Sequence, residues 1–200
     1  YEIMPSLVGS EMCIRDRMVT QAPCVITVCA DVHRFSMWCE QRDAEPCYDN
    51  FAWFLNGVTD ALLAAQNLCV EAEAHGLGIC YLGTTIYTAE EIARILDLPK
   101  GVIPVTTIVV GHPDESPELT DRLPLDAVVH CEKYHHYTSS EIDELWAEKE
   151  TSEETRRLLE ENGLPNLAQI FTRNRYRAED NLAISRNYFA LLKKQGFFNN

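Results

Sequence analysis

Positive charge is scarce in this 200-residue chain: 17 lysines and arginines stand against 31 aspartates and glutamates, a formal net charge of −14. With so few bases there is little to release counterions from a phosphate backbone, so DNA, RNA and anionic lipid surfaces are not expected partners. Long apolar runs are lacking too. The best candidate, around Trp53 to Ala74, is broken by Asn56, Asp60, Gln66, Asn67 and two glutamates, short of the roughly 20 apolar residues that span a bilayer. No signal-peptide core or cleavage site opens the chain. A soluble, cytoplasmic protein is expected.

Several site signatures are missing as well. The eight cysteines form no CxxC pair, and some sit inside apolar runs such as Cys24-Val-Ile-Thr-Val-Cys29, where a thiol behaves as a small hydrophobe. Reduced thiols are expected at Cys24, Cys29, Cys39, Cys47, Cys69, Cys80 and Cys131 rather than a disulfide scaffold. His130-Cys131 and His135-His136 have no partner at a metal-site spacing, and HExxH is absent. Solvated loop histidines are the expectation, with no metal. Gly76-Leu-Gly78-Ile-Cys-Tyr81 fails as a dinucleotide fingerprint, because Tyr81 replaces the third glycine and the glycines follow a helix. The carboxylate pairs Glu90/Glu91, Glu153/Glu154 and Glu160/Glu161 read as solvated helix faces, so no acid–base dyad is expected.

What is present is a globular composition, 46% apolar and 24% charged, with enough chain for one sizeable core. Cys24 to Ala30, ending at Asp31, reads as a buried strand, and residues 36–50 as a loop. From Phe51 to His75 the positions Phe54, Val58, Ala61, Leu62, Ala65, Cys69 and Ala72 recur at helical spacing. Gly76 and Gly78 should stop that helix, with a short strand Ile79–Leu82 after them. Thr88-Ala-Glu-Glu91 predicts a capping box opening a helix through Leu98. Ile103 to Gly111 predicts a strand covered on both faces, and His112 to Pro124 a loop. Charged helices are expected over 139–162, and an amphipathic one from Arg177 to Gln195, stopped by Gly196. Helices alternating with apolar strands imply a layered α/β architecture.

Residues 1–17 fit no period, and Leu7-Val-Gly-Ser-Glu-Met-Cys-Ile-Arg-Asp-Arg17 resembles the translation of a transposase adapter used for sequencing libraries. They are expected to be non-native, with Met18 not the true start. Two segments remain as candidate binding sites. Tyr81-Leu-Gly83-Thr84 follows a buried strand, where glycine lets a ligand approach the backbone. Arg173, Arg175 and Arg177 form the single basic cluster of an acidic chain. They would serve an anionic ligand or merely pair with Glu179 and Asp180, and composition does not choose.

The ordered series Asp60-Ala-Leu-Leu-Ala-Ala-Gln66-Asn67, Glu73-Ala-His-Gly76-Leu77-Gly78, Tyr81-Leu-Gly83, Gly111-His-Pro113 and Leu119-Thr-Asp-Arg122-Leu123-Pro124 resembles the FMN-dependent nitroreductase family. The likeness is to its oxygen-insensitive, NADPH-using branch with flavin reductases, and it continues through Val129-His130 and Gln195-Gly196-Phe197. The resemblance implies an α+β fold, a mixed sheet wrapped by helices in three layers, incomplete at the N-terminus. Residues 18–138 would be a partial flavin-binding core and 139–200 a helical extension of the same domain. It implies a homodimer joined through the long helix, with FMN at the interface. Hydride would pass from NADPH or NADH to nitroaromatics, quinones or free flavin in a ping-pong scheme. No side chain would be catalytic, since the flavin carries the chemistry.

Within that resemblance, Tyr81, Leu82, Gly83 and Thr84 would lie against the isoalloxazine ring, a backbone N–H facing its N5/O4 edge. Arg122 would pair with the FMN phosphate, although Thr120 stands where the branch carries a lysine. Arg173, Arg175 and Arg177 would take the NADPH phosphate. The branch's N-terminal Arg-Ser-x-Arg-like arm has no match here. The alternative it leaves is a non-catalytic flavin-binding or dimerisation remnant.

Overall fold

A computed structural model of the chain describes residues 19–114 and 122–198. The adapter-like tail and Thr120 lie outside them. The described residues fall into two compact units, one of 19–114 with 182–198 and one of 122–181.

The first unit is built on three strands, β1 (Cys24–Asp31), β2 (Gly78–Leu82) and β3 (Val102–Gly111), in the order β1-β3-β2. The sequence of β3, VIPVTTIVVG, is β-branched at eight positions and buried at all but two. That pattern belongs to a central strand covered on both faces, as expected. The α+β class also holds. The sheet, however, is not mixed among the described residues: both pairings run antiparallel. A β-bulge interrupts the β1–β3 ladder, which steps from Val28↔Thr106 to Cys29↔Pro104 and leaves Val105 without a partner. Pro104 has no N–H to give the ladder, so the irregularity sits where the chemistry requires it. Its carbonyl accepts instead from the Tyr188 hydroxyl at 3.0 Å.

The helices of this unit are α1 (His33–Glu40), α2 (Phe51–Ala74) and α3 (Ala89–Ile95). The last helix, α7 (Ala178–Lys194), returns to it. α1 corrects the loop expected over 36–50. Its apolar residues follow no clean stripe and only Cys39 is buried, so periodicity could not reveal it. Local contacts hold it instead. Asp31 Oδ1 accepts from the Arg34 N–H at 3.1 Å, capping the first turn, and Phe35 packs on Trp38 and Tyr48 at 5.5 and 5.1 Å. α2 packs on the sheet, and at Gly57 the approach is close: a Cβ there would meet the Ala30 Cβ at 3.2 Å. Phe54 then joins a core with Ala30, Ile103, Leu191, Leu192 and Phe197, while Ala65 and Cys69 pack on Ile108 and Val110.

The Thr88 capping box does not form; Thr88 accepts no side-chain cap bond. Glu91 turns away to Arg94 within the same helix. α3 also stops short of Leu98, because Asp97 adopts a left-handed conformation at φ 50°. The Leu98 N–H reaches back to Ala93 O at 2.9 Å and the Asp97 N–H to Arg94 O at 3.3 Å. This six-to-one, five-to-two pair is a Schellman motif.

The second unit holds a 3-10 turn, Leu125–Ala127, then α4 (Ser139–Thr151), α5 (Glu153–Asn162) and α6 (Leu167–Ile170). A π-turn, Phe171–Arg175, follows α6, and α7 (Ala178–Lys194) begins here. Among the described residues no helix is long and apolar enough to cross a membrane.

Candidate functional site

Tyr81 and Leu82 end β2, which pairs with β3 along one edge, and Gly83 and Thr84 form the turn that leaves the sheet. Leu82 is buried, Gly83 exposed. Gly83 has neither a positive φ nor a protein atom within 4 Å of where its Cβ would stand. Among the described residues, nothing therefore asks for glycine at this position. A glycine there leaves the backbone open to close approach.

The turn itself is anchored. The buried Thr85 hydroxyl donates to the Leu82 carbonyl at 3.0 Å and lies 3.0 Å from the Thr107 hydroxyl on β3. Tyr81 reaches towards α2, its hydroxyl donating to Gln66 Oε1 at 3.5 Å. Loss of surrounding water, with the Cys69 sulfur beside it, pushes the Tyr81 phenol up to about 12, so it stays neutral in any ordinary buffer. A cavity of about 500 Å³ begins nearby at Ile86 and runs between α3 and α7. The charges on its rim are satisfied, Lys194 on Glu90 at 3.0 Å and Arg94 on Glu91.

The four arginines singled out in the sequence belong to the second unit, and residues 81–84 to the first. Arg122 lines a cavity of about 340 Å³ together with Leu123, Trp146, Lys149 and Phe171. Arg173 and Arg175 ride on the π-turn, and the Arg175 guanidinium sits 5.7 Å above the Phe171 ring. Arg177 is engaged locally, paired with Glu179 and lying 3.5 Å from Asp180. For that arginine the structure displays the pairing that the sequence offered as the alternative.

The histidine-rich loop before α4 is ordered by hydrogen bonds. The His135 N–H donates to His130 Nδ1 at 3.3 Å, and the His135 ring lies 2.9 Å from Glu141. Among the described residues no cluster of three or more His, Cys, Asp or Glu could hold a metal. Glu141 closes a capping box on Thr138, accepting from its N–H at 2.7 Å and its hydroxyl at 2.8 Å. The Thr138 N–H and hydroxyl, with His135 adding to them, hold the carboxyl down to about 2. A carboxyl lowered in the folded state stabilises it above the usual carboxylate range, and that stability is lost as pH falls through the folded value. Helicity followed by circular dichroism should thus decline between about pH 4 and 2 more steeply in the parent than in Glu141→Gln, which cannot titrate. Equal slopes would show that the cap carries no pH dependence.

Comparison with known proteins adds the following. The family model described as the Nitroreductase family matches residues 5–112, a span that starts inside the adapter-like segment. An FMN reductase (NADPH) of Bacillus subtilis (strain 168) is 35% identical over 109 residues, covering 54% of this chain and 44% of that protein. An NADPH-dependent oxidoreductase of Staphylococcus aureus (strain USA300) is 42% identical over 97 residues, 48% of this chain and 39% of its own. The chain thus spans less than half the length of these curated relatives. A candidate oxidoreductase from Bacteroides fragilis NCTC 9343 superposes with a TM-score of 0.90 at 46% identity, over 95% of this chain and 77% of that one. B. megaterium NfrA2 does so at 0.72 and 30%, over 96% and 75%.

Proposed function

Because this chain belongs to the nitroreductase family, we propose that it is the FMN-binding part of an NAD(P)H-dependent oxidoreductase. The observation that carries the reading is Gly83: exposed, unstrained and bare of protein neighbours, at the position where the sequence series places the flavin ring. Residues 81–84 fit a flat ring well. A small residue leaves the backbone open, the buried Leu82 gives the turn a rigid floor, and the neutral Tyr81 brings no charge. With FMN bound, the chemistry supplied is relay of a hydride from NADPH or NADH to a nitroaromatic, a quinone or free flavin.

The chain's own residues bind and orient. The Tyr81–Thr84 segment would hold the ring, and Arg122 would meet the phosphate as a charged fork. Arg173 and Arg175 are the candidates for the NADPH phosphate, with Arg177 tied to Glu179 and Asp180. None of these side chains needs to exchange a proton with substrate, since the flavin would carry the chemistry.

A homodimer belongs to the same proposal. α2 exposes Leu55, Leu62, Leu63 and Val70 along one side at two-turn intervals, a stripe that water disfavours and a second copy would cover. A small-molecule acceptor, a cytoplasmic setting and no nucleic-acid or membrane partner complete the reading.

Steady-state kinetics test it. Varying NADPH at several fixed concentrations of a quinone should give parallel double-reciprocal lines, since donor and acceptor would use one site in turn. Intersecting lines would reject the alternating scheme, and absence of bound FMN after reconstitution would reject the whole reading.

A further inference from the structure

Three threonine hydroxyls run in a row beneath the Gly83 turn. Thr27 and Thr107 are cross-strand partners in β1 and β3, with their Oγ1 atoms 3.5 Å apart. Thr107 is also the partner of Leu82 in β2, and its hydroxyl lies 3.0 Å from that of Thr85. Thr85 and Thr107 are buried at 3% and 7% exposure. Each hydroxyl has one proton to give. A carbonyl can only accept, so the Thr85 proton goes to Leu82 O at 3.0 Å. Thr85 must then accept from Thr107, and Thr107 from Thr27. The row has a single direction, from β1 through β3 to the carbonyl of Leu82.

That carbonyl belongs to the Leu82–Gly83 peptide, whose N–H is the Gly83 N–H. The described chain has no cis peptide bonds, and in a trans peptide C=O and N–H point in opposite directions. With the Leu82 carbonyl held on buried hydroxyls, the Gly83 N–H points the opposite way, and nothing lies within 4 Å of where a Cβ on this exposed residue would stand. A proton donated to an amide oxygen also draws density from its nitrogen and strengthens the N–H as a donor, and a chain of hydroxyls reinforces that pull.

We propose that the Thr27–Thr107–Thr85 hydroxyl row is a positioning device that fixes and strengthens the Gly83 N–H as a donor to an electron-rich ligand edge. It rests on the reading that residues 81–84 hold the flavin. The three threonines would act through one peptide rather than as cofactor ligands.

Two measurements on the full chain test it. FMN titration, followed by fluorescence quenching, should show Thr85→Val about tenfold weaker than the parent and Thr85→Ser within about twofold, a rescue that mere space-filling would not give, since valine matches the lost volume and serine keeps the hydroxyl. The carbonyl carbon resonance of Leu82, read by NMR without cofactor, should move upfield in Thr85→Val, less in Thr107→Val, and stay in place in Thr85→Ser. If the parent binds no FMN but the resonance moves, the flavin reading fails while the hydroxyl row stands. If FMN binds and serine is no better than valine, or the resonance does not move in Thr85→Val, the positioning role is overturned. Should Thr85→Val not fold, Thr107→Val supplies the same comparison from one hydroxyl further back.

Discussion

Gly83→Val should leave the apoprotein folded and weaken FMN binding by about 10- to 100-fold. The size follows from the cost of forcing extra methyl groups into a filled space, about 1–3 kcal/mol, at 1.4 kcal/mol per factor of ten. Stability is spared because the Cβ of residue 83 would meet no protein atom and the φ there is not positive. Gly83→Ala should fall between parent and valine. Thermal melts of the apoproteins and fluorescence titration with FMN check both halves. A valine variant that binds as the parent does would remove the ring from this turn, and one that unfolds would show that the glycine serves the fold after all.

The largest loss of stability is expected at Phe197. Its ring is 0% exposed and packs on Phe54 with centroids 5.6 Å apart, in the core shared with Ile103 and Leu192. It is also the residue after the left-handed Gly196 that ends α7. Its N–H returns to Leu192 O at 3.0 Å, so backbone and side chain meet the same residue, as the Schellman motif favours. Phe197→Ala should cost about 3–5 kcal/mol in urea unfolding, from lost transfer energy and the cavity left behind. Phe189→Ala, on an exposed ring of the same helix, should cost far less. Similar losses at the two positions would place the core elsewhere.

Periodicity made the long elements legible. The stripe from Phe54 to Ala72 foretold α2 nearly to the residue, and the β-branched run from Ile103 foretold β3 and its burial. Endings were read only where glycine marked them. Gly76 and Gly196 close α2 and α7 in left-handed turns, but Asp43 and Asp97 do the same for α1 and α3. Aspartate tolerates that conformation without announcing it, which is why α3 ran too far in the sequence reading. The two Thr-x-x-Glu signatures show the same limit. At Thr88 the glutamate had Arg94 three residues on and took the ion pair, whereas Glu141 had no such neighbour and capped its helix.

The candidate site was legible in part. Tyr81 to Thr84 stood out because glycine followed an apolar strand, and the structure gives that glycine no internal purpose. The threonines behind it were invisible. Thr27, Thr85 and Thr107 are far apart in sequence, two lie inside apolar strands, and only the pairing of β1, β3 and β2 brings their hydroxyls into line. Arg177 was ambiguous because a guanidinium beside Glu179 and Asp180 suits an anion and a neighbour equally well, and only coordinates show the neighbour in place.

The first unit takes its residues from both sides of the second, and this gives the chain a schedule during synthesis. When Gly111 has been made all three strands exist, yet Leu191, Leu192 and Phe197, which complete their core, have still to be translated. At about 5–20 residues per second, the sheet waits several seconds with part of its apolar face uncovered. The intervening helices are contiguous in sequence and are complete before α7 is. A nascent chain stalled before α7 would thus display the wet side of Ile103 and Phe54 to whatever chaperone or aggregation partner is at hand.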